Sequence, residues 1–276
     1  MNSILVPIDF SETSENALNY AVGLANYLSF KIVLLHVDSI PLVNNEFQDL
    51  SYVISKSKED NLELLKNKAK QLKKDDFLIG DVDYFAESGD LKSTIEVFIS
   101  EKNVDFVVMG ITGHDTMLGK FLLGSNAVSL SREISVPLFI IPKNYKYKKI
   151  QSIAYASKYY TSSNGHEGLL KIKYINAILG SLLYVLHVIP NNHFIDEAES
   201  NLDTFVEHKL DQTNHKTFIL TNDNVSKAIL DFIDGHNVDI VVLEQKDYSF
   251  FDNLFHISAT KEVAFNSPIP ILTFHV

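Results

Sequence analysis

The residues best suited to chemistry gather in one segment. Gly110-Ile111-Thr112-Gly113 is followed, after ten intervening residues, by Gly124-Ser125-Asn126 at what reads as a helix start. Glycine lets a backbone approach a phosphate closely, free N–H groups at a helix N-terminus favour an anion, and a serine hydroxyl adds a donor there. Taken alone, the glycines are equally consistent with plain turns. Gly113 to Phe121 approaches a P-loop, but one residue too many precedes Gly119, and Phe121 stands where a magnesium-binding hydroxyl belongs. The first strand ends in Asp9-Phe10-Ser11, not in the Gly-x-Gly-x-x-Gly turn of a dinucleotide site.

Other chemistries lack a signature. The ten histidines form no His-Glu-x-x-His, and no Gly-x-Ser-x-Gly occurs. No general base is identifiable, so any turnover is expected to be slow or absent. His36 and His187 end matching strands, and a shared structural role is expected for them. Phe250, Phe251, Leu254 and Phe255 read as core or a domain contact, and Asp75-Asp76 as solvated acids at a helix end.

The elements that must position the glycine segment follow from apolar periodicity. Residues 3–9 form a short apolar run, and Ser11 with Glu12 suits the start of a helix whose face is Ala17, Leu18, Ala21, Leu24, Ala25 and Leu28. Lys31 to Val37 reads as a strand buried on both faces. A loop is expected around 38–57, then a helix on Leu62, Leu65, Ala69 and Leu72, and a strand from Val82 to Ala86. Gly89-Asp90 opens a helix on Leu91, Ile95, Phe98 and Ile99, and Val104 to Met109 is the next strand. A short helix over roughly 122–133 and a strand at Leu138–Ile141 complete the alternation of a doubly wound α/β domain.

From about residue 150 the order repeats. Leu34-Leu35-His36-Val37 is echoed by Val185-Leu186-His187-Val188, Asn103 to Met109 by Asn237 to Leu243, and Val136 to Phe139 by Ile269 to Leu272. Three echoes in the same order mark an internal repeat. Helical faces are expected on Leu169, Ile172, Ile175 and Leu179, on Ile195, Ala198, Leu202 and Phe205, and on Val225, Ile229, Phe232 and Ile233. The expectation is two tandem doubly wound parallel five-stranded α/β domains, 1–145 and 150–276, joined through Lys143–Lys149.

Composition agrees. The chain has 276 residues, 46% of them hydrophobic, which is enough for two cores. A net charge of −11 argues against a nucleic-acid partner, which excess Lys and Arg would serve. The absence of cysteine excludes disulfides, thiolate metal sites and a catalytic thiol. No apolar run reaches the ~20 residues that span a bilayer, and the first residues lack the pattern of a signal peptide. A cytoplasmic protein without a membrane partner is expected.

Several landmarks together resemble the universal stress protein family in its tandem form: Pro7-x-Asp9-Phe10-Ser11-Glu12, the strand ending in His36-Val37, Met109-Gly110-x-x-Gly113, Gly124-Ser125, and Val136-Pro137. The resemblance is strong in the first half and weaker in the second. It implies an adenine nucleotide α-hydrolase-like fold and a stress-response regulatory protein. By the same resemblance ATP or AMP, with or without Mg, would lie on Gly110, Gly113, Gly124 and Ser125, with Asn126 beside them. Asp9 would contact the ribose, Pro7 and Val37 would line the adenine slot, and Met109 would close it. For Val37 and Met109 plain core, and for Asp9 a helix-entry role, are the alternatives. Pairing of the two domains within the chain and an unknown protein partner are also implied, and a monomer or a homodimer fits.

This sequence departs from the family's loop, Gly-x2-Gly-x9-Gly-[Ser/Thr], by one extra residue. That departure favours a second reading, a nucleotide-free interaction scaffold. In the second half Glu244 and Asp247 stand opposite Gly110 and Gly113, Ile257 replaces Gly124, Ser258 keeps the hydroxyl, and Lys158 falls opposite Asp9. One nucleotide per chain is the expectation, with the second domain as structural or interaction partner.

Overall fold

In the computed structural model the described residues are 2–39, 50–74, 77–111, 125–131, 133–156, 163–191, 202–245, 262–263 and 266–275. The chain divides into two compact units, residues 1–110 with 133–147, and residues 111–132 with 148–276.

In the first unit β1 (Ser3–Pro7), α1 (Glu12–Leu28), β2 (Lys31–Asp38), α2 (Leu50–Lys73), β3 (Val82–Ser88), α3 (Leu91–Lys102), β4 (Val104–Ile111) and β5 (Leu138–Pro142) alternate as expected. The strand order is β3-β2-β1-β4-β5, and β1 pairs in parallel with both β2 and β4. All five residues of β1 are buried, the pattern of a central strand covered on both faces. Ser11 caps α1 by accepting from the Ser14 amide at 3.2 Å, and Asp90 caps α3 by accepting from the Ser93 amide at 2.9 Å. The expected apolar face of α1 is buried apart from half-buried Leu28.

Two expectations are corrected. The segment read as loop through residue 57 is helical from Leu50: Leu50, Val53 and Ile54 have the i, i+3, i+4 spacing of a helical face, but Val53 and Ile54 are half-buried and Ser55-Lys56-Ser57 breaks the stripe before it can continue. Leu62, expected on the core face of α2, is 39% exposed, whereas Leu65, Ala69 and Leu72 are buried.

The second unit contains α4 (Ser125–Leu130), then β6 (Ser152–Ala156), α5 (Ser163–Leu179), β7 (Leu182–Ile189), α6 (Leu202–Lys209), β8 (His215–Thr221), α7 (Val225–Gly235), β9 (Ile240–Gln245) and β10 (Ile271–His275). Its order is β10-β9-β6-β7-β8, with parallel ladders throughout. Leu169, Ile172, Ile175 and Leu179 are buried, as are Ile229, Phe232 and Ile233. In α6 Val206 is buried and Phe205 half-buried. Ile195, Ala198, the Asp75-Asp76 pair and the Phe250–Phe255 stretch lie outside the described residues.

The repeated Asn-Val-Asp triplets have a structural cause. Asp105 accepts from the Ser3 amide at 3.0 Å, and the Ser3 hydroxyl donates to the carbonyls of Lys102 and Asn103. Asp239 accepts from the amides of Gln151 and Ser152 at 2.8 and 3.0 Å, and the Ser152 hydroxyl donates to the Asn237 carbonyl. In each unit one carboxylate thus satisfies amides at the start of the central strand, which the parallel ladder leaves without partners. An aromatic pair is also repeated. Phe85 meets Phe98 edge-on at 5.0 Å under the Lys102 ammonium, and Phe218 meets Phe232 at 5.0 Å with His236 stacked on Phe232.

Candidate functional site

The strand order of the first unit reverses between β1 and β4, since chain connections run outward from there in opposite directions. The carboxyl ends of strands at such a switch point form the crevice where α/β sheets collect ligands. Pro7 ends β1 and pairs with Leu35. Val37 lies two residues beyond Leu35 on β2, and Met109 two residues beyond Val107, the partner of Leu5, on β4. Pro7 and Val37, expected to line an adenine slot, and Met109, expected to close it, therefore reach the same end of three neighbouring strands. Pro7 is buried, whereas Val37 and Met109 are half-buried.

Asp9 lies two residues past the end of β1, after buried Ile8, and is exposed. Its Oδ1 accepts from the Ser11 amide at 3.0 Å and from the Ser11 hydroxyl at 2.6 Å. It therefore supports the helix entry, and it does so while presenting a carboxylate at the crevice. Partial burial pushes its carboxyl up, but bonds from the hydroxyls of Ser11 and Ser14 and from the Ser11 amide outweigh this and hold it below its ordinary value. The turn is tight: Phe10, between Asp9 and Ser11, has φ of 61°, a left-handed conformation costing a bulky residue about 1 kcal/mol. Its ring stacks on His36 with centroids 5.0 Å apart.

Gly110 has an evident packing role. A Cβ there would fall well inside contact distance of the Thr13 carbonyl oxygen, so the first turn of α1 passes over β4 only because residue 110 has no side chain. Gly113 and Gly124 lie outside the described residues. Ser125 and Asn126 form the start of α4.

One cluster escaped sequence reading. His36 approaches the Ile8 carbonyl through Nδ1 at 2.6 Å and Asp38 Oδ1 through Nε2 at 3.0 Å. Asp38 Oδ2 accepts from the Ser57 hydroxyl and the Asn61 amide group of α2, each at 2.6 Å. Burial raises the Asp38 carboxyl, but Ser57, His36 and Asn61 overcome this and depress it. The available signal was the i, i+2 spacing of His36 and Asp38, which puts both on one face of a strand.

The second unit is built differently at the matching place. Glu244, opposite Gly110 in the repeat, is buried and accepts from the Tyr155 hydroxyl at 2.5 Å. Gly168 of α5 makes room for this pair, since a Cβ there would collide with both groups. Lys158, Asp247, Ile257 and Ser258 lie outside the described residues. Among the described residues no group of three or more His, Asp or Glu is placed to hold a metal ion. No described helix is long and apolar enough to cross a membrane.

Residues 1–142 match the model of the universal stress protein family. Over 295 aligned positions the chain is 23% identical to universal stress protein Slr1230 of Synechocystis, covering 99% of this chain and all of that protein. A universal stress protein from Archaeoglobus fulgidus has a similar structure, with a TM-score of 0.71 at 18% identity, covering 99% of this chain and 98% of the other. A Pseudomonas aeruginosa protein described as functionally unknown aligns with a TM-score of 0.58 at 15% identity, over 99% and 92% of the two chains. With its sequence landmarks, its strand order and a family match over the first half, the chain belongs to the universal stress protein family.

Proposed function

We propose that the first unit binds an adenine nucleotide, ATP or AMP, at the crevice between β1 and β4, and that the second unit serves as its structural or interaction partner in a stress-response regulator. The observation that carries this reading is the convergence of Asp9, Pro7, Val37 and Met109 at the switch point. An ionised carboxylate at the mouth of the crevice is an acceptor for ribose hydroxyls, and the apolar strand ends suit the faces of a base. For the phosphates the reading takes Gly110 at the end of β4, and, on the sequence pattern alone, Gly113, Gly124, Ser125 and Asn126. Any Mg would arrive with the phosphates, since magnesium is usually held by one or two carboxylates and substrate oxygens.

The test is mass spectrometry of ligand retained by purified protein, followed by titration of ATP and AMP against wild type, Asp9→Ala and Gly113→Val. Wild type is expected to bind, Asp9→Ala about tenfold more weakly through loss of a charged hydrogen bond, and Gly113→Val not at all. A wild-type protein that binds neither nucleotide at millimolar concentration would replace this reading with that of an interaction scaffold, which the longer glycine loop favours.

A further inference from the structure

The His36 cluster supports a conclusion that goes beyond the nucleotide reading and does not depend on it. Both ring nitrogens of His36 face groups that only accept: the Ile8 carbonyl at 2.6 Å and the Asp38 carboxylate at 3.0 Å. A neutral imidazole has one N–H and one lone pair. It can satisfy one of these neighbours, and it turns its lone pair against the other. An imidazolium satisfies both. Phe10 stacks on the ring with centroids 5.0 Å apart and fixes its plane.

We propose that His36 is a proton-operated latch: in its charged form it ties the β1–α1 turn, the end of β2 and helix α2 together, and loss of the proton releases α2. The link to α2 runs through Asp38, whose second oxygen is held by Ser57 and Asn61. When Nε2 carries a lone pair, the two ends of the relay compete. Asp38 Oδ1 then faces a lone pair instead of an N–H, and a carboxylate that turns away from the ring carries Oδ2 out of the position in which Ser57 and Asn61 reach it.

The other charged groups nearby are already engaged. On β3, Glu87 is in register with Val37 and pairs with Lys58 of α2 at 2.7 Å. On the β1–α1 turn, the Asp9 carboxylate is directed to Ser11. At the start of α3, Asp90 is used by Ser93, and Asp38 itself offers its carbonyl to the Gly89 amide. Among these groups Asp38 is the one that contacts the ring. Histidine is the side chain that ordinarily changes charge between about pH 5 and 8, a range in which the carboxylates stay ionised.

Amide hydrogen exchange of the full chain, followed by NMR and corrected for the intrinsic pH dependence of chemical exchange, tests the latch without any ligand. Protection of α2 amides around Ser57–Asn61 is expected to fall about tenfold between about pH 5.5 and 8, the size of one charge-assisted hydrogen bond. His36→Gln keeps a donor that does not titrate, so its protection should be flat across this interval. Asp38→Asn, at a half-exposed position that leaves the core intact, should be flat as well, and it serves if His36→Gln fails to fold. The long-range imidazole nitrogen spectrum should show two protonated nitrogens on His36 at the acid end. Flat protection in wild type, or a pH step that survives in both variants, overturns the proposal.

Discussion

Gly110 and Thr13 meet where α1 starts over the end of β4, and the absence of one methyl group allows it. Gly110→Ala would drive a Cβ into a backbone carbonyl, which no rotamer change can relieve. A loss of about 1–3 kcal/mol is expected from such overpacking, read as a lowered midpoint in urea unfolding. A change under about 0.5 kcal/mol would mean that α1 shifts freely and that the glycine serves some other purpose. A short glycine motif in a sequence announces only that a side chain is unwelcome. Whether a phosphate or a neighbouring helix excludes it is decided by what lies opposite, and here the opposing residue, Thr13, is 97 positions away. The same holds for Phe10. Its type says nothing of the left-handed turn it adopts, which follows from the competing demands of the Asp9–Ser11 contact and the stack on His36.

At the level of elements, the two carboxylates that seat the central strands are equivalent in place but opposite in electrostatics. Asp105 of the first unit is half-buried beside one amide, and desolvation leaves its carboxyl raised. Asp239 is also pushed up by burial, but the Lys148 ammonium at 2.8 Å and two strand amides prevail and depress it. The signs then differ. A depressed folded-state value means that Asp239 contributes stability above its unfolded value, about pH 4, and loses it as pH falls through the lower folded one. The raised value of Asp105 means that the folded state takes up a proton more readily there, so its cost at neutral pH is relieved on mild acidification. Asp239→Asn should therefore lower stability at pH 7 and flatten its acid dependence. Asp105→Asn should cost less at pH 7, or even stabilise. Chemical denaturation at pH 3.5, 5 and 7 checks this, and equal effects of the two variants would contradict it. The echo of Asn-Val-Asp was plain in the sequence, but Lys148 comes from a different segment, and its contribution was not. Helix α2 shows the other limit: Leu50, Val53 and Ile54 begin an apolar stripe that Ser55-Lys56-Ser57 cuts short, and so brief a stretch carries too little periodic signal to read as helix.

For the whole molecule the asymmetry of the units is the main consequence. The first has a side-chain-free position at the end of β4, and the second fills the matching position with a buried, hydrogen-bonded glutamate and tyrosine. On the proposed nucleotide reading, a carboxylate there would repel a phosphate. One adenine nucleotide per chain is therefore expected in native mass spectrometry or calorimetry, and two would show that the second unit binds by some other surface. Family, alternation of strands and helices, the internal repeat and most core faces were determined by the sequence alone, because burial and period are local properties that each segment carries in its own residues. The tertiary structure alone decided which glycine is a packing necessity, which acid seats a strand, and how His36, Asp38, Ser57 and Asn61 come to form one chain of contacts. Those depend on residues far apart in the chain, and only the closing of β1, β2 and α2 onto one another brings their partners within reach.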